Sequence, residues 1–280
     1  MPRTTRPWRA ALLVTLAAAL LGAACSSTAA GSATATSNPA TSAPGTTLPK
    51  GTESLVGRYA HFDVVSYQDD KMRTVIISTG FADLEMRDGQ LWNVQRFCHA
   101  DTGSDQNIDI SISDAATRAI VPIATPVEVT ERDGKLRVVR PATPTAIGIK
   151  IADPANESLP KDPNDPRIFD ADGDGNPGVT SHVKVTDALQ GDLYLARREI
   201  FAYDVTQQSA DRLVGTITDR SEQLIIGASN PVFMVAAQWE QVDDPARNPV
   251  IWQRVGADWD CDRLAAERAA IFPPNPKTDW

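Results

Sequence analysis

The chain has 280 residues, 42% of them hydrophobic and 22% charged, and its 36 acidic side chains outnumber 27 basic ones for a formal net charge of −9. So acidic a surface repels nucleic acid and anionic lipid headgroups, which argues against a polynucleotide partner and against membrane contact through the folded surface. The length allows one large domain or two small ones.

The first element is an export signal, residues 1–24: Arg3, Arg6 and Arg9, an apolar run from Ala10 to Leu21, then the small residues Gly22, Ala23 and Ala24. That run is too short for a permanent transmembrane helix, and no later segment approaches the required ~20 apolar residues. Removing the signal takes away three arginines and no acids, leaving 24 bases against 36 acids and a formal charge of −12.

Leu21-Gly22-Ala23-Ala24-Cys25 resembles the lipobox of bacterial lipoproteins, with Gly22 standing where that family usually has leucine. The resemblance implies cleavage before Cys25 and acylation of its thiol and amine. The membrane is then a partner through Cys25, and the protein resides in the cell envelope, anchored outside the cytoplasm. Ordinary signal-peptide cleavage would cut the same bond without adding lipid. Residues 25–50 follow as a tether of Ser, Thr, Ala, Gly and Pro, a composition that buries too little apolar area to offset backbone ordering.

Residues 51–280 carry the folded part. Short apolar–polar alternations recur at Leu55 to Tyr67, Met72 to Ser78, Asn107 to Ser113, Val179 to Val185, Leu193 to Val205, Arg212 to Thr218 and Glu222 to Ala228. A period of two is the mark of half-buried strands. In NIDISIS, Ile108, Ile110 and Ile112 share one side; Val179, Ser181, Val183 and Val185 share another. Asp88-Gly89 and Asp133-Gly134 sit between such runs and supply the positive φ angles of tight hairpins. One helix is expected after Asp260 as cap, with Cys261, Leu264, Ala265, Ile271 and Phe272 on one face, Arg268 intruding there, and Pro273-Pro274 ending it. Cys98 and Cys261 are the cysteines remaining after Cys25, and an oxidising compartment favours their pairing over two buried thiols.

Seven of the twenty prolines fall between Pro141 and Pro177, predicting a long irregular excursion. At its far end lies FDADGDGNPGVTS, residues 169–181. Asp170, Asp172, Asp174 and Gly175 resemble the DxDxDG calcium loop of EF-hands and dockerins. That resemblance implies side-chain oxygens from the three aspartates and the carbonyl of Asn176 on a structural calcium ion. The loop lacks the closing glutamate, since Ser181 stands at its place; Asp162, Asp165 and Asp187 are candidates for a replacement. A solvated Asp-Gly turn is the plainer alternative, although three like charges at every second residue repel unless a cation neutralises them.

No HExxH, GxSxG or phosphate-cradling glycine loop is present, and His61, His99 and His182 read as structural or surface histidines, so no catalytic residue is assigned and an enzyme is not expected. Trp92, Trp239, Trp252, Trp259 and Trp280 suit a core or the lining of a pocket. FCHADTGSDQNIDISISDAATRAI, RPATPTAIGI, DADGDGNPGVT and SEQLIIGAS resemble segments of uncharacterised secreted and lipoprotein families of soil bacteria, which carry no activity to transfer.

The expected fold is one all-β domain, an antiparallel, lipocalin-like barrel or a sandwich of about eight to ten strands with one C-terminal helix. The expected function is that of a calcium-stabilised lipoprotein binding a small ligand, an envelope polymer or a protein partner. A secreted hydrolase acting on polysaccharide or lipid and a purely structural envelope protein are the alternatives.

Overall fold

A computed structural model describes residues 48–280 apart from Asn107 and residues 235–239. The export signal, Cys25 and residues 25–47 lie outside them. Of the last tether positions, Leu48 packs on the apolar core and Pro49 accepts the Thr52 hydroxyl at 2.7 Å.

The fold is all-β. Strands β1 (Gly57–Gln68), β2 (Arg73–Arg87), β3 (Gln90–Ser104) and β4 (Asp109–Ile112) come first, then helix α1 (Asp114–Arg118). β5 (Ile123–Pro126), β6 (Glu128–Arg132), β7 (Lys135–Arg140) and β8 (Thr145–Ile147) lead to the proline-rich excursion. β9 (Val179–Thr186), β10 (Leu189–Glu199), β11 (Phe201–Ser209), β12 (Arg212–Asp219), β13 (Glu222–Ala228), β14 (Glu240–Gln241) and β15 (Pro249–Arg254) precede the C-terminal helix α2 (Cys261–Ile271). Among the described residues fifteen strands exceed the eight to ten expected, because long alternations break at corners and short pieces join the edges. Leu193 to Val205 reads as one run, yet it is β10 and β11 with Ile200 between them. The one-residue linkage lets the chain change direction without losing its alternation.

Both Asp-Gly pairs form the expected tight turns: φ is 49° at Asp88 and 77° at Gly89, 53° at Asp133 and 73° at Gly134. They set the registers Arg87 opposite Gln90 and Arg132 opposite Lys135.

The sheet has two parts. β3, β2, β1, β15, β12, β11, β7 and β6 are neighbours in that order. β5 runs into β6 through Val127 and pairs with Trp92 to Gln95 of β3, while the Val127 N–H donates to the Leu91 carbonyl. The ladder thus returns to β3 as a barrel-like ring, and a ring leaves no long edge to pair with another chain. From the far half of β3 the sheet continues instead through β4, β9, β10 and β13, with β8 also on β10, as a curled open wing. Ring and wing meet again at the β10–β11 and β12–β13 corners. There the Arg220 N–H donates to the Ile200 carbonyl at 2.8 Å and the Ile200 N–H to Ser221 Oγ at 2.9 Å.

Inside the ring Tyr59, Leu84, Leu91, Val138, Tyr203, Leu213 and Trp252 pack together. Burying side chains of this size stabilises by about 1.5–3 kcal/mol each. The alternation along β1 is lost to burial on both faces, because Ala60, Phe62 and Val64 point outward under α2, whose Leu264 and Phe272 are buried against them. Phe62 and Phe272 stack with centroids 5.5 Å apart. Asp260 caps α2 by accepting the Arg263 N–H at 2.9 Å. Arg268 lies on the inner face as its sequence position demands, its guanidinium 5.3 Å from the Phe62 ring centroid, whereas Ala265 is exposed rather than packed. Cys98, the extra residue of a bulge opposite Thr79 and Gly80, is disulfide-bonded to Cys261 with 5.4 Å between the Cα atoms, joining α2 to β3.

Candidate functional site

Every second residue on the inner face of the wing and on the adjoining part of the ring faces one concavity, so strand parity builds its wall. The outer part, about 530 Å³, is lined by Ile110 and Ile112 of β4, Val183 of β9, Leu193 and Leu195 of β10 and Ile225 of β13, with Val232 and Phe233 at its rim. Where wing meets ring it narrows into a chamber of about 100 Å³. Ile76, Ile112, Ser181, Leu195 and Arg197 line both parts, so chamber and cleft adjoin along a shared, mainly apolar wall. Ala116, Thr117 and Ile120, from α1 and the turn after it, close one side of the chamber, and Phe97 and Phe201 line another, their rings meeting edge to face at 5.3 Å.

A polar cluster sits at the chamber's inner end, where the strands turn from wing to ring. Asp219 ends β12 and Glu199 ends β10, and Ser221 lies between them with its hydroxyl 2.5 Å from Asp219 Oδ1 and 3.1 Å from Glu199 Oε2. A hydroxyl has one proton for two carboxylates, so the second contact is a hydrogen bond only when one acid is itself protonated. Burial and the neighbouring Glu199 push the Asp219 carboxyl up, opposed by its bonds from Ser221 and Tyr67, which suits it to hold that proton. The Tyr67 hydroxyl donates to Asp219 Oδ2, and burial followed by the Asp219 charge drives the phenol well above its ordinary value. Arg197 reaches Glu199 through Nε at 2.5 Å and Gln223 at 3.3 Å; burial works against its charge, but Glu199 outweighs it and the guanidinium stays firmly protonated.

Asp63 of β1 enters the same chamber and is only 1% exposed. Its Oδ2 accepts the Tyr203 hydroxyl at 2.8 Å and lies 2.9 Å from His61 Nδ1. Its Oδ1 has no hydrogen-bond partner. Behind it, Arg140 donates to the Phe201 carbonyl at 3.2 Å, and burial lowers the pKa of its guanidinium against the pull of Tyr203 and Asp63. These acids were not singled out by the sequence; the available signal is a charge at inward parity, as Asp63 within YAHFDVV and Glu199 within LARREIF.

Each of the three histidines lies against oxygen partners. His61 is wholly buried with Nε2 2.9 Å from the Arg96 carbonyl, His99 contacts Asp114 at 2.7 Å and Asp101 at 3.0 Å, and His182 contacts Asp192 at 2.8 Å. Oxygen acceptors thus lie against both ring nitrogens of His99, whereas His61 Nδ1 approaches Asp63 Oδ2 at 2.9 Å without making a hydrogen bond. Trp252 belongs to the ring core, while Trp92, Trp259 and Trp280 lie beneath Arg87, Arg263 and Arg247. Trp239 lies outside the described residues.

The acidic loop adjoins the chamber wall. Asp170, Asp172 and Asp174 each present an oxygen within 4.8 Å of the others. Asp170 folds the loop by accepting the N–H groups of Gly173 at 2.7 Å and Gly175 at 2.9 Å, where φ values of 77° and 89° require glycine. Asp174 accepts the Asn176 N–H at 2.8 Å, and Asp172 Oδ2 accepts the N–H of Thr180, a chamber residue, at 3.0 Å. Asp172 Oδ1 has no partner, and burial plus the charges of Asp174 and Asp170 raise that carboxyl's pKa. The donor set and the open oxygen fit a hard divalent cation. Of the candidate closing acids, Asp165 is held by Arg167 at 2.9 Å, Asp187 by Lys184 at 2.8 Å, and Asp162 accepts the Asn164 N–H at 2.8 Å. The loop is pinned to the wing where Gly148 and Gly178 touch backbone to backbone: a Cβ on Gly178 would come 2.3 Å from the Leu195 carbonyl oxygen.

Comparison of the chain with family models, with curated proteins and with solved structures finds no match.

Proposed function

We propose that the protein is an envelope lipoprotein, anchored through acylated Cys25 outside the cytoplasm, that holds a small apolar ligand in the cleft between wing and ring, with calcium in the acidic loop bracing the wing. The observation that carries this reading is the cleft of about 530 Å³ lined by Ile110, Ile112, Val183, Leu193, Leu195 and Ile225. Apolar surface left on a concave face, with a few polar groups converging at one end, is the usual form of a small-molecule site. The hydrolase alternative rests on Glu199 and Asp219 as an acid pair, and the aliphatic lining around them suits an acyl chain better than a sugar.

The experiment is binding of the neutral fluorescent probe N-phenyl-1-naphthylamine to the full chain and to Val183→Trp, which fills the cleft from β9. Probe fluorescence should rise with the wild type and fall at least about tenfold in apparent affinity with the variant, a loss of about 1.4 kcal/mol. Equal binding by both would remove the cleft as the site. Anchoring is checked separately by incorporation of labelled palmitate, which Cys25→Ala should abolish. No nucleic-acid partner is proposed, given the acidic surface.

A further inference from the structure

We propose, building on the cleft reading above, that the occupant is a single-chain amphiphile whose head donates hydrogen bonds and carries no negative charge, seated head-inward against Asp63, Glu199 and Asp219 with its chain along the wing. Three acidic side chains line the chamber, against one guanidinium. That guanidinium, Arg197, is already committed to Glu199 and Gln223. His61 and Arg140 stand behind Asp63 and do not line the chamber. Inside the chamber an anionic head would therefore meet acidic side chains and no uncommitted cation, since Lys71 lines only the outer cleft.

A donor, by contrast, is what Asp63 lacks at Oδ1. Asp63 Oδ1 is buried without a partner, and a buried carboxylate oxygen left unpaired is costly. An ammonium or hydroxyl head supplies that hydrogen bond and finds Glu199 and Asp219 close by. The chain direction follows from shape: the chamber holds about 100 Å³ and the outer cleft about 530 Å³, so the compact head belongs inside and the aliphatic chain outside. Ile110, Val183, Leu193 and Ile225 then meet methylenes, which gives their half-buried position a function.

The test uses the full chain with phosphatidylcholine vesicles containing one of three photoreactive probes of equal chain length, each with a diazirine at the chain end: an alkylamine, a monoacylglycerol or a fatty acid. Adducts are located by peptide mass spectrometry. The amine and glycerol probes should label the protein at least about tenfold more than the fatty acid, the ratio expected from one charge-assisted hydrogen bond. Their adducts should fall on the outer residues of β4, β9 and β13 and on Val232 and Phe233. Asp63→Asn, which replaces an acceptor at nearly constant volume, should bring the amine and fatty-acid yields to within about threefold of each other. Should that variant misfold, the wild-type series still decides. Equal or stronger labelling by the fatty acid, or adducts at Phe97 and Ile120 showing the chain inward, would overturn the head-group assignment while leaving the cleft in place. Absence of adducts in the cleft with all three probes would overturn the cleft reading as well.

Discussion

Along β7, in the ring, Leu136, Val138 and Arg140 are all buried; along β9, in the wing, Val179 and Ser181 are buried, Val183 is half-buried and Val185 is exposed. The alternation in sequence is the same. In the ring the inward residues meet others from across the barrel, and packing at crystal-like density removes them from water. The wing is curled but open, so its inward residues meet a concavity instead. Parity therefore tells which way a side chain points, while closure of the sheet decides whether it becomes core or binding surface. Charges obey the same division, since those at inward parity collect where the two parts join.

The sharpest way to break this comparison is to make one truncation in both parts. Leu213 is 0% exposed in the ring core, and Leu193 lines the cleft. Leu213→Ala should cost about 2–5 kcal/mol and Leu193→Ala about 1 kcal/mol or less, because a side chain already bordering open space leaves little new cavity. Urea unfolding of both variants measures the difference. Equal losses would mean that the wing packs like the ring in solution.

What the sequence made legible follows from the same distinction. The period-two runs, the Asp-Gly turns, the Asp260 cap and the Cys98–Cys261 pair are local or pairwise signals, and each is found in the structure. The two-sided burial of β1 was not legible, because it depends on α2 docking some 200 residues later in the chain. Nor was the chamber, whose residues come from β1 to β4, α1 with the turn after it, and β8 to β12, and converge only after the strands have bent at Ile200 and Ser221. The acidic loop was legible as a pattern, whereas its hydrogen bond to Thr180, and with it the link to the chamber, was not.

The disulfide gives a second contrast of similar size. It closes a separation of 163 residues and holds α2 on the outer face of β1, β2 and β15. Replacing both cysteines by serine should cost about 2–5 kcal/mol. Hydrogen exchange should quicken in α2 and the ring strands beneath it, and β9, β10 and β13 should keep their protection. Loosening of the wing to the same extent would show that the two parts unfold as one unit.

Calcium should act on the opposite half. At about a hundredfold excess over its dissociation constant it should stabilise the full chain by about 2.7 kcal/mol, and chelation should deprotect β9 and the loop before it touches the ring. An unchanged unfolding midpoint with chelator would remove the metal. The pH dependence has a definite sign. The Asp172 carboxyl is raised above the ordinary aspartate value, so the metal-free folded state gains from its protonation at low pH and loses that gain as pH rises through the raised value. A cation needs the ionised form, so the calcium increment should behave inversely, full above that value and lost as pH falls through it.

The smallest effect tests the seam itself. His99 on β3 contacts Asp114, the first residue of α1, and α1 carries Ala116 and Thr117 into the chamber wall. Burial lowers the imidazole pKa, and the bonds to Asp114 and Asp101 overcome this, leaving it above the ordinary histidine value. A raised histidine stabilises the fold fully below its unfolded value; that contribution is lost as pH rises through the folded one. Asp101 is shifted the other way: burial raises its pKa, but the bonds from Asn275 and His99 outweigh this, so its share is present above about 3.8 and lost as pH falls through the lowered value. The pair should thus favour the fold most between these limits. With His99 and Asp114 44% and 48% exposed at their side chains, screening keeps the gain below about 1 kcal/mol. His99→Asn should therefore be slightly less stable than the wild type near about pH 5 and equal to it near about pH 9, by urea unfolding at both. If α1 is held by this contact, ligand uptake by the variant should weaken in the same pH window; a stability difference that persists unchanged at the higher pH would assign His99 to packing and leave the seam to the Ile200–Ser221 corner alone.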